Sequence, residues 1–393
     1  MTEYSTTGRY ILYGAVANPP KESTHTIRTK IKYIIDRIAF KLGYKSHLNY
    51  KNYQQPYTYN RGDHSIIVAT EQELRKTNPA IEIITIDWEQ LNKADIKKED
   101  KILICGSGYF FPNPEGLFPQ RLQRDLNVIE ASGAELHFLG VGYNYLLDWK
   151  PQGEINLPPA STELLTKLLS RATSLTVRDE NTKQFLSSFT KKEIEVIGDP
   201  ALYIETELPP RLDIEQTRAL QIGINIPFHG YEPTEWIKKH LLEFVEFLRK
   251  LKQLTGCEFT YFIHYDSEAL IATLIKDQGV SMGTIETDAV SLPLQYSKMN
   301  IHIGGMLHSC IIATAAGVPC IGLAYDEKHF GFFELMQRPN YCLKANPFNA
   351  KELLQKTLKL LEECESERAK ITERRQYLTV TFQKVTKAIT AHI

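Results

Sequence analysis

The sequence has no excess of charge of either sign: 46 Lys and Arg against 47 Asp and Glu leave a formal net charge of -1 over 393 residues. With no basic stripe to neutralise phosphates, nucleic acid is excluded as the expected partner. No window approaches about 18 uninterrupted apolar residues, so no spanning helix is expected and contact with a membrane is at most peripheral. The opening MTEYSTTGRYILYGAV lacks a basic leader followed by a long apolar run. No secretory signal is expected from it, and the chain reads as cytoplasmic. Its six cysteines (105, 257, 310, 320, 342 and 364) form no Cys-x-x-Cys pair. They read as reduced residues, without disulfide frame or zinc ribbon. No His-x-x-x-His, calcium-type acidic cluster or Asn-x-Ser/Thr acceptor occurs, so neither metal nor cofactor is expected.

What the sequence does have is apolar residues, at 42%, in segments that alternate between short runs and helical spacing. That length and composition suit two α/β domains with real cores. RYILYGAV, IEIITID, KILICG, ELHFLGVG and SLTV read as strands, separated by helical segments that include THTIRTKIKYIIDRIAFKLG and HSIIVATEQELRK. A charged stretch from 203 to 219 with Pro209-Pro210 has no periodicity and reads as the boundary. LQIGINIP then begins a second series of strands and helices. The expected organisation is two doubly wound, Rossmann-like domains facing across a cleft: residues 1–207, residues 218–365, and a terminal helix, 366–393, placed to cross back to the first.

Four stretches carry chemistry. Asn60-Arg61-Gly62-Asp63 precedes a helix, and Asp63 reads as an N-cap or a cleft residue. Gly106, Gly108 and Tyr109 follow a buried strand, where backbone can approach a ligand. Val177-Arg178-Asp179-Glu180 ends another strand, and Arg178 reads either as a surface ion pair or as a fork for a carboxylate or phosphate. The densest stretch is Met299–Met336, a strand ending in Gly304-Gly305, a helix opening at His308 and closing at Gly317, and a second strand. The amides following that glycine turn form an anion site by geometry and dipole. Tyr325, Lys328 and His329 read as a loop facing the cleft, with His329 better explained as structural. A tyrosine-rich loop, Tyr44–Tyr59, could pin itself down or stack on a sugar.

Taken together, Asn60, Gly62 and Asp63, the Arg178-Asp179-Glu180 run with Asp199, Pro200 and Leu202, and Leu307, His308, Gly317, Val318, Pro319, Tyr325 and Lys328 resemble the polysaccharide pyruvyl transferase family. One family residue is absent: Met306 stands where the pattern has arginine.

The resemblance implies a glycosyltransferase-B-like architecture and transfer of a pyruvyl group from phosphoenolpyruvate, a co-substrate, to a sugar of a cell-surface or capsular glycan precursor. His308 would be the acid/base. Arg178, Gly304, Gly305, Lys328 and Tyr325 would bind donor, with Arg338 or Lys344 as substitute cations. Asn60, Asp63, Gly106, Gly108, Tyr109 and Glu180 would line the acceptor side or cleft. The implied partners are a small-molecule donor and a glycan or lipid-linked sugar, and a homo-oligomer is left open. Met306 keeps a second expectation alive, a nucleotide-sugar glycosyltransferase with a groove near residues 225–231 and 285–291. A non-catalytic glycan or partner binder is the third.

Overall fold

The computed structural model describes residues 8–18, 27–44, 59–147, 156–207, 219–226, 233–265 and 268–391. Two six-stranded sheets, parallel throughout, organise the chain. The first holds β1 (Tyr10–Gly14), β2 (Ile83–Asp87), β3 (Lys101–Cys105), β4 (Glu135–Val141), β5 (Ala172–Val177) and β6 (Glu195–Val196), in the order 2-1-3-4-5-6. The second holds β7 (Gln221–Asn225), β8 (Glu258–Phe262), β9 (Met282–Ile285), β10 (Ile301–Gly304), β11 (Cys320–Ala324) and β12 (Cys342–Lys344), in the order 12-11-10-7-8-9. The architecture is α/β, two Rossmann-like units, each a parallel sheet flanked by helices. β1, β3 and β11 are buried along their whole length, as continuous apolar runs require when helices cover both faces. β9 and β12 were not expected as strands. They are short edge strands with exposed positions, and so lack an apolar signature.

In the first half the helices are α1 (Ile27–Lys41), α2 (Arg61–Thr77), α3 (Gln120–Ser132), α4 (Pro159–Arg171) and α5 (Glu180–Ser187). The second half has α6 (Pro233–Thr255), α7 (Ala269–Asp277), α8 (Leu292–Tyr296), α9 (Leu307–Ala315), α10 (Glu327–Leu335), α11 (Ala350–Glu362) and α12 (Cys364–Ala391). Two of these correct the sequence reading. Asn60, not Asp63, caps α2: its Oδ1 accepts from the amides of Gly62 (3.0 Å) and Asp63 (3.3 Å). Lys328 and His329 are not in a loop, because Glu327 opens α10; Tyr325 lies in the short turn before it. α1 also departs from a buried amphipathic helix. Its Tyr33 and Arg37 reach Thr273 and Asp277 on α7, while Ile31, Ile34, Ile35 and Ile38 are exposed.

The two units share packing. One apolar cluster runs from Leu12, Ile66 and Leu103 through Leu202 and Phe382 to Ile222, Ile303 and Leu307, whereas the other face of the first sheet has its own core around Ile104, Phe138 and Val177. α12 spans both units. Arg368 donates to the carbonyls of Gly317 and Asn300, and Arg375 to that of Leu202. Phe382 stacks on Tyr203 at 4.4 Å, and Lys101 donates to the carbonyl of Ile389.

Candidate active site

In a doubly wound sheet, ligands bind beyond the carboxyl ends of strands where the strand order reverses. In the second sheet that point lies between β7 and β10, which end at Asn225 and Gly304. The turn after β10 is drawn against β7. Asn225 takes the amide of Gly305 on its carbonyl (2.7 Å) and that of Met306 on its side-chain oxygen (3.0 Å). Two of the amides expected to meet an anion are therefore already occupied. The next two, of Leu307 and His308, have no hydrogen-bond acceptor among the described residues.

His308 lies in the first turn of α9 and projects between two carboxylates of the other unit. Nδ1 is 3.8 Å from Asp63 Oδ1, and Nε2 is 3.6 Å from Asp199 Oδ2. Both separations exceed hydrogen-bond length while keeping negative charge beside each nitrogen. Asp199 is 2% exposed; its Oδ1 accepts from the amide of Ala201, and its Oδ2 is buried without a hydrogen-bond partner. Asp63 accepts from Ser107 Oγ (3.2 Å) and from the side-chain amide of Asn60, which also donates to Tyr265 OH (2.6 Å). Gly62 makes the approach possible: a Cβ there would stand 2.3 Å from that of His308. Arg61 locks the same turn across the interface by donating to the carbonyls of Thr287 and His264.

Behind the turn lies a fully buried polar layer. Glu268 Oε2 accepts from Asn225 Nδ2 (2.9 Å) and from the amide of His264 (2.8 Å). Burial outweighs those bonds and pushes the Glu268 carboxyl up to about 8. Burial, with His308 nearby, also holds the His264 ring well below its ordinary value, so His264 is neutral. Its Nε2 meets Tyr296 OH at 2.8 Å.

The remaining candidates divide. Arg178 is buried against Gly142, where a Cβ would lie 2.1 Å from its Cζ. It donates to Asp179 Oδ2 (3.1 Å) and to the carbonyl of Tyr143 (3.0 Å), so it is neither a surface pair nor an open fork. Asp179 caps α5 through the amide of Thr182 and touches Gly331 on α10. Glu180 is exposed. Lys328 pairs with Asp326 (2.8 Å) beside the Tyr325 ring, and Tyr325 OH donates to Met306 Sδ (3.8 Å). His329 is structural, as expected, bridging Asp326 Oδ1 (2.5 Å) and the carbonyl of Gly305 (3.0 Å). Burial alone would raise the Asp326 carboxyl, but Lys328 and His329 hold it well below the usual range.

Gly106 and Ser107 adopt the left-handed conformation, and Gly106 packs on Ile66, so this turn places Ser107 at Asp63. Gly108 lies by Asn144. Tyr109 does not line the cleft. It is fully buried, with its OH on Asp125 Oδ2 (2.8 Å), because the chain turns back into the aromatic core of Phe110 and Phe138. Arg338 pairs with Glu367, and Lys344 is exposed. Tyr50, Tyr53, Tyr57 and residues 227–231 lie outside the described residues.

Sequence reasoning gave no role to Ser107, Asp199, Asn225, Tyr265 or Glu268. Asp199 stood in the motif as quoted, and a polar residue ending the run QIGIN was the one signal for Asn225.

The fold and this arrangement define a two-domain α/β protein with a histidine of one unit set among carboxylates of the other. A family model described as polysaccharide pyruvyl transferase matches residues 60–327, more than half of the chain. The chain belongs to the polysaccharide pyruvyl transferase family, a family of transferases. No curated protein matches it significantly in sequence. Among solved structures it is similar to a pneumococcal O-GlcNAc transferase, GtfA, in complex with UDP and GlcNAc (13% identity, TM-score 0.48), covering 77% of this chain and 59% of that one. It is also similar to Methanocaldococcus jannaschii UDP-GlcNAc 2-epimerase (13%, 0.48, 77% and 91%) and to a glycosyltransferase from Rickettsia africae (14%, 0.46, 98% and 100%). This chain thus spans about three-fifths of the pneumococcal transferase's length. Among the described residues no helix is long and apolar enough to cross a membrane.

Proposed function

We propose that this protein transfers the pyruvyl group of phosphoenolpyruvate to two hydroxyls of one sugar in a glycan precursor, forming a cyclic ketal. The observation that carries the reading is His308 between Asp63 and Asp199, at 3.8 and 3.6 Å, beside two unspent amides. An imidazole serves as a general acid or base, and here a carboxylate faces each of its nitrogens.

A sugar hydroxyl oxygen bonds to C2 of the enol, its proton is taken up, and the methylene becomes a methyl by gaining a proton. The C2–O bond to phosphate then breaks, and phosphate leaves with that electron pair. The second hydroxyl oxygen bonds to C2 and its proton ends on phosphate. His308 carries the proton between hydroxyl and methylene. The amides of Leu307 and His308 are the donors available to the donor's anionic groups. Lys328 can join them on leaving Asp326. Arg178 acts by holding the Asp179 end of β5 rather than as the first contact. No cofactor is required.

Met306 supports a second reading, a nucleotide-sugar donor, because a buried methionine in contact with Tyr325 OH supplies no charge where the family pattern has arginine. A thermal-shift titration separates the two, since a ligand bound only by the native state raises the melting temperature. Phosphoenolpyruvate is expected to stabilise the protein and uridine, guanosine and cytidine nucleotides are not. Stabilisation by one nucleotide alone would replace pyruvyl transfer with glycosyl transfer. The variant His308→Gln is expected to keep the fold and lose phosphate release from phosphoenolpyruvate by at least ~100-fold; near-normal release would remove His308 from the mechanism.

A further inference from the structure

A cavity of about 550 Å³ opens at the carboxyl edge of the first sheet, between α5, the Tyr143–Tyr145 segment and the start of α10. Neither His308 nor Asp63 nor Asp199 lines it. Its size falls within the range of small-molecule sites, ~300–1,000 Å³.

The lining is specific in chemistry. Asn156, Thr162 and Gln184 present two amides and a hydroxyl to it, and none of the three side chains has a hydrogen-bond partner among the described residues. Amides and hydroxyls both donate and accept, which matches a ligand whose groups do the same. Tyr145 and Phe189 add ring surface to the same wall. Charge argues against an anion. Lys328 is the one cation in the lining and is held by Asp326, Asp179 is likewise held by Arg178, and Glu327, which accepts from Asn181, adds a further carboxylate. Phosphoenolpyruvate or a diphosphate would meet net negative charge here.

We infer that this cavity binds a neutral sugar unit of the acceptor glycan, other than the unit being modified, through Asn156, Thr162 and Gln184 against the rings of Tyr145 and Phe189. The inference rests on the acceptor being a glycan. A bonded chain joins this wall to the reacting end: Lys328 to Asp326, Asp326 to His329, and His329 to the carbonyl of Gly305, next to Met306 and His308.

The test is saturation-transfer NMR on the full chain with glucose, galactose, mannose, N-acetylglucosamine, lactose and cellobiose as probes, alongside glucose 6-phosphate. At least one neutral sugar is expected to receive saturation. That signal should fall at least ~5-fold in Gln184→Trp, whose exposed site on α5 tolerates the change and whose ring fills the cavity, and should persist in His308→Gln. Gln184→Leu, which keeps the volume and removes the amide, should weaken it too. Absence of signal from every neutral sugar overturns the proposal. So does a signal that Gln184→Trp leaves intact, or stronger binding of the phosphorylated sugar. Phosphoenolpyruvate stabilisation in the same variants keeps the two readings apart. Sugar binding without it leaves the subsite and removes pyruvyl transfer; stabilisation without sugar binding does the reverse.

Discussion

His308 and Arg178 stand at corresponding places, each just beyond the carboxyl end of a buried parallel strand, but their surroundings differ. Arg178 is fully engaged: carboxylate, carbonyl and a glycine wall fix its guanidinium. Neither nitrogen of His308 has a neighbour closer than 3.6 Å among its two carboxylates, so the ring can accept or release a proton without first breaking a short bond. The contrast separates a residue that holds the site together from one free to react. A strand-end arginine beside acidic residues is therefore not by itself a ligand fork. What decides is whether its donors are already spent.

Three variants test what these surroundings do. The largest effect is expected from Arg178→Ala, which leaves Asp179 buried without its partner. Removing one member of a buried pair costs about 3–5 kcal/mol, so denaturant unfolding should detect a loss of that order. Wild-type stability with weaker phosphoenolpyruvate binding would instead make Arg178 a ligand. Gly62→Ala is next. Its new Cβ, 2.3 Å from that of His308, must displace the ring or part the units, at about 1–3 kcal/mol. Turnover should fall more than stability does; equal turnover would mean that the placement of His308 between the carboxylates is not needed.

A third variant, Glu268→Gln, is read against pH. The folded carboxyl titrates near 8 and the unfolded one near its ordinary value of 4.5, so the folded state binds the extra proton between them. Wild-type stability conferred by this group therefore falls as pH rises through that window. Glutamine retains an oxygen for Asn225 and His264 without the titration. The melting temperature of the variant relative to wild type should rise from about pH 5 to about pH 8, and a flat difference would show that Glu268 is not held protonated.

Much of the fold was legible because parallel strands buried on both faces need continuous apolar runs, and KILIC, YILYG and CIGLA are such runs. Boundaries set by side-chain caps were less so. Asn60 and Asp63 are both good capping residues, and only the hydrogen bonds show that Asn60 caps, which leaves Asp63 for His308. Tyr109 misled because a residue after Gly-x-Gly can point to either side of the turn, and this one enters the core. Lys328 and His329 were read as loop because α10 contains Gly331 and a run of aromatics without helical periodicity. That glycine is used for close approach to Asp179.

By itself the sequence determined the two series of strands and helices, the family motifs and the histidine at a helix start, because these depend on periodicity and local turns. Tertiary structure alone decided what surrounds that histidine. Asp63, Asp199 and Asn225 are remote from it in sequence and come together only when two sheets pack through α2, α9 and α12, and the state of a titratable group depends on charge and burial in space.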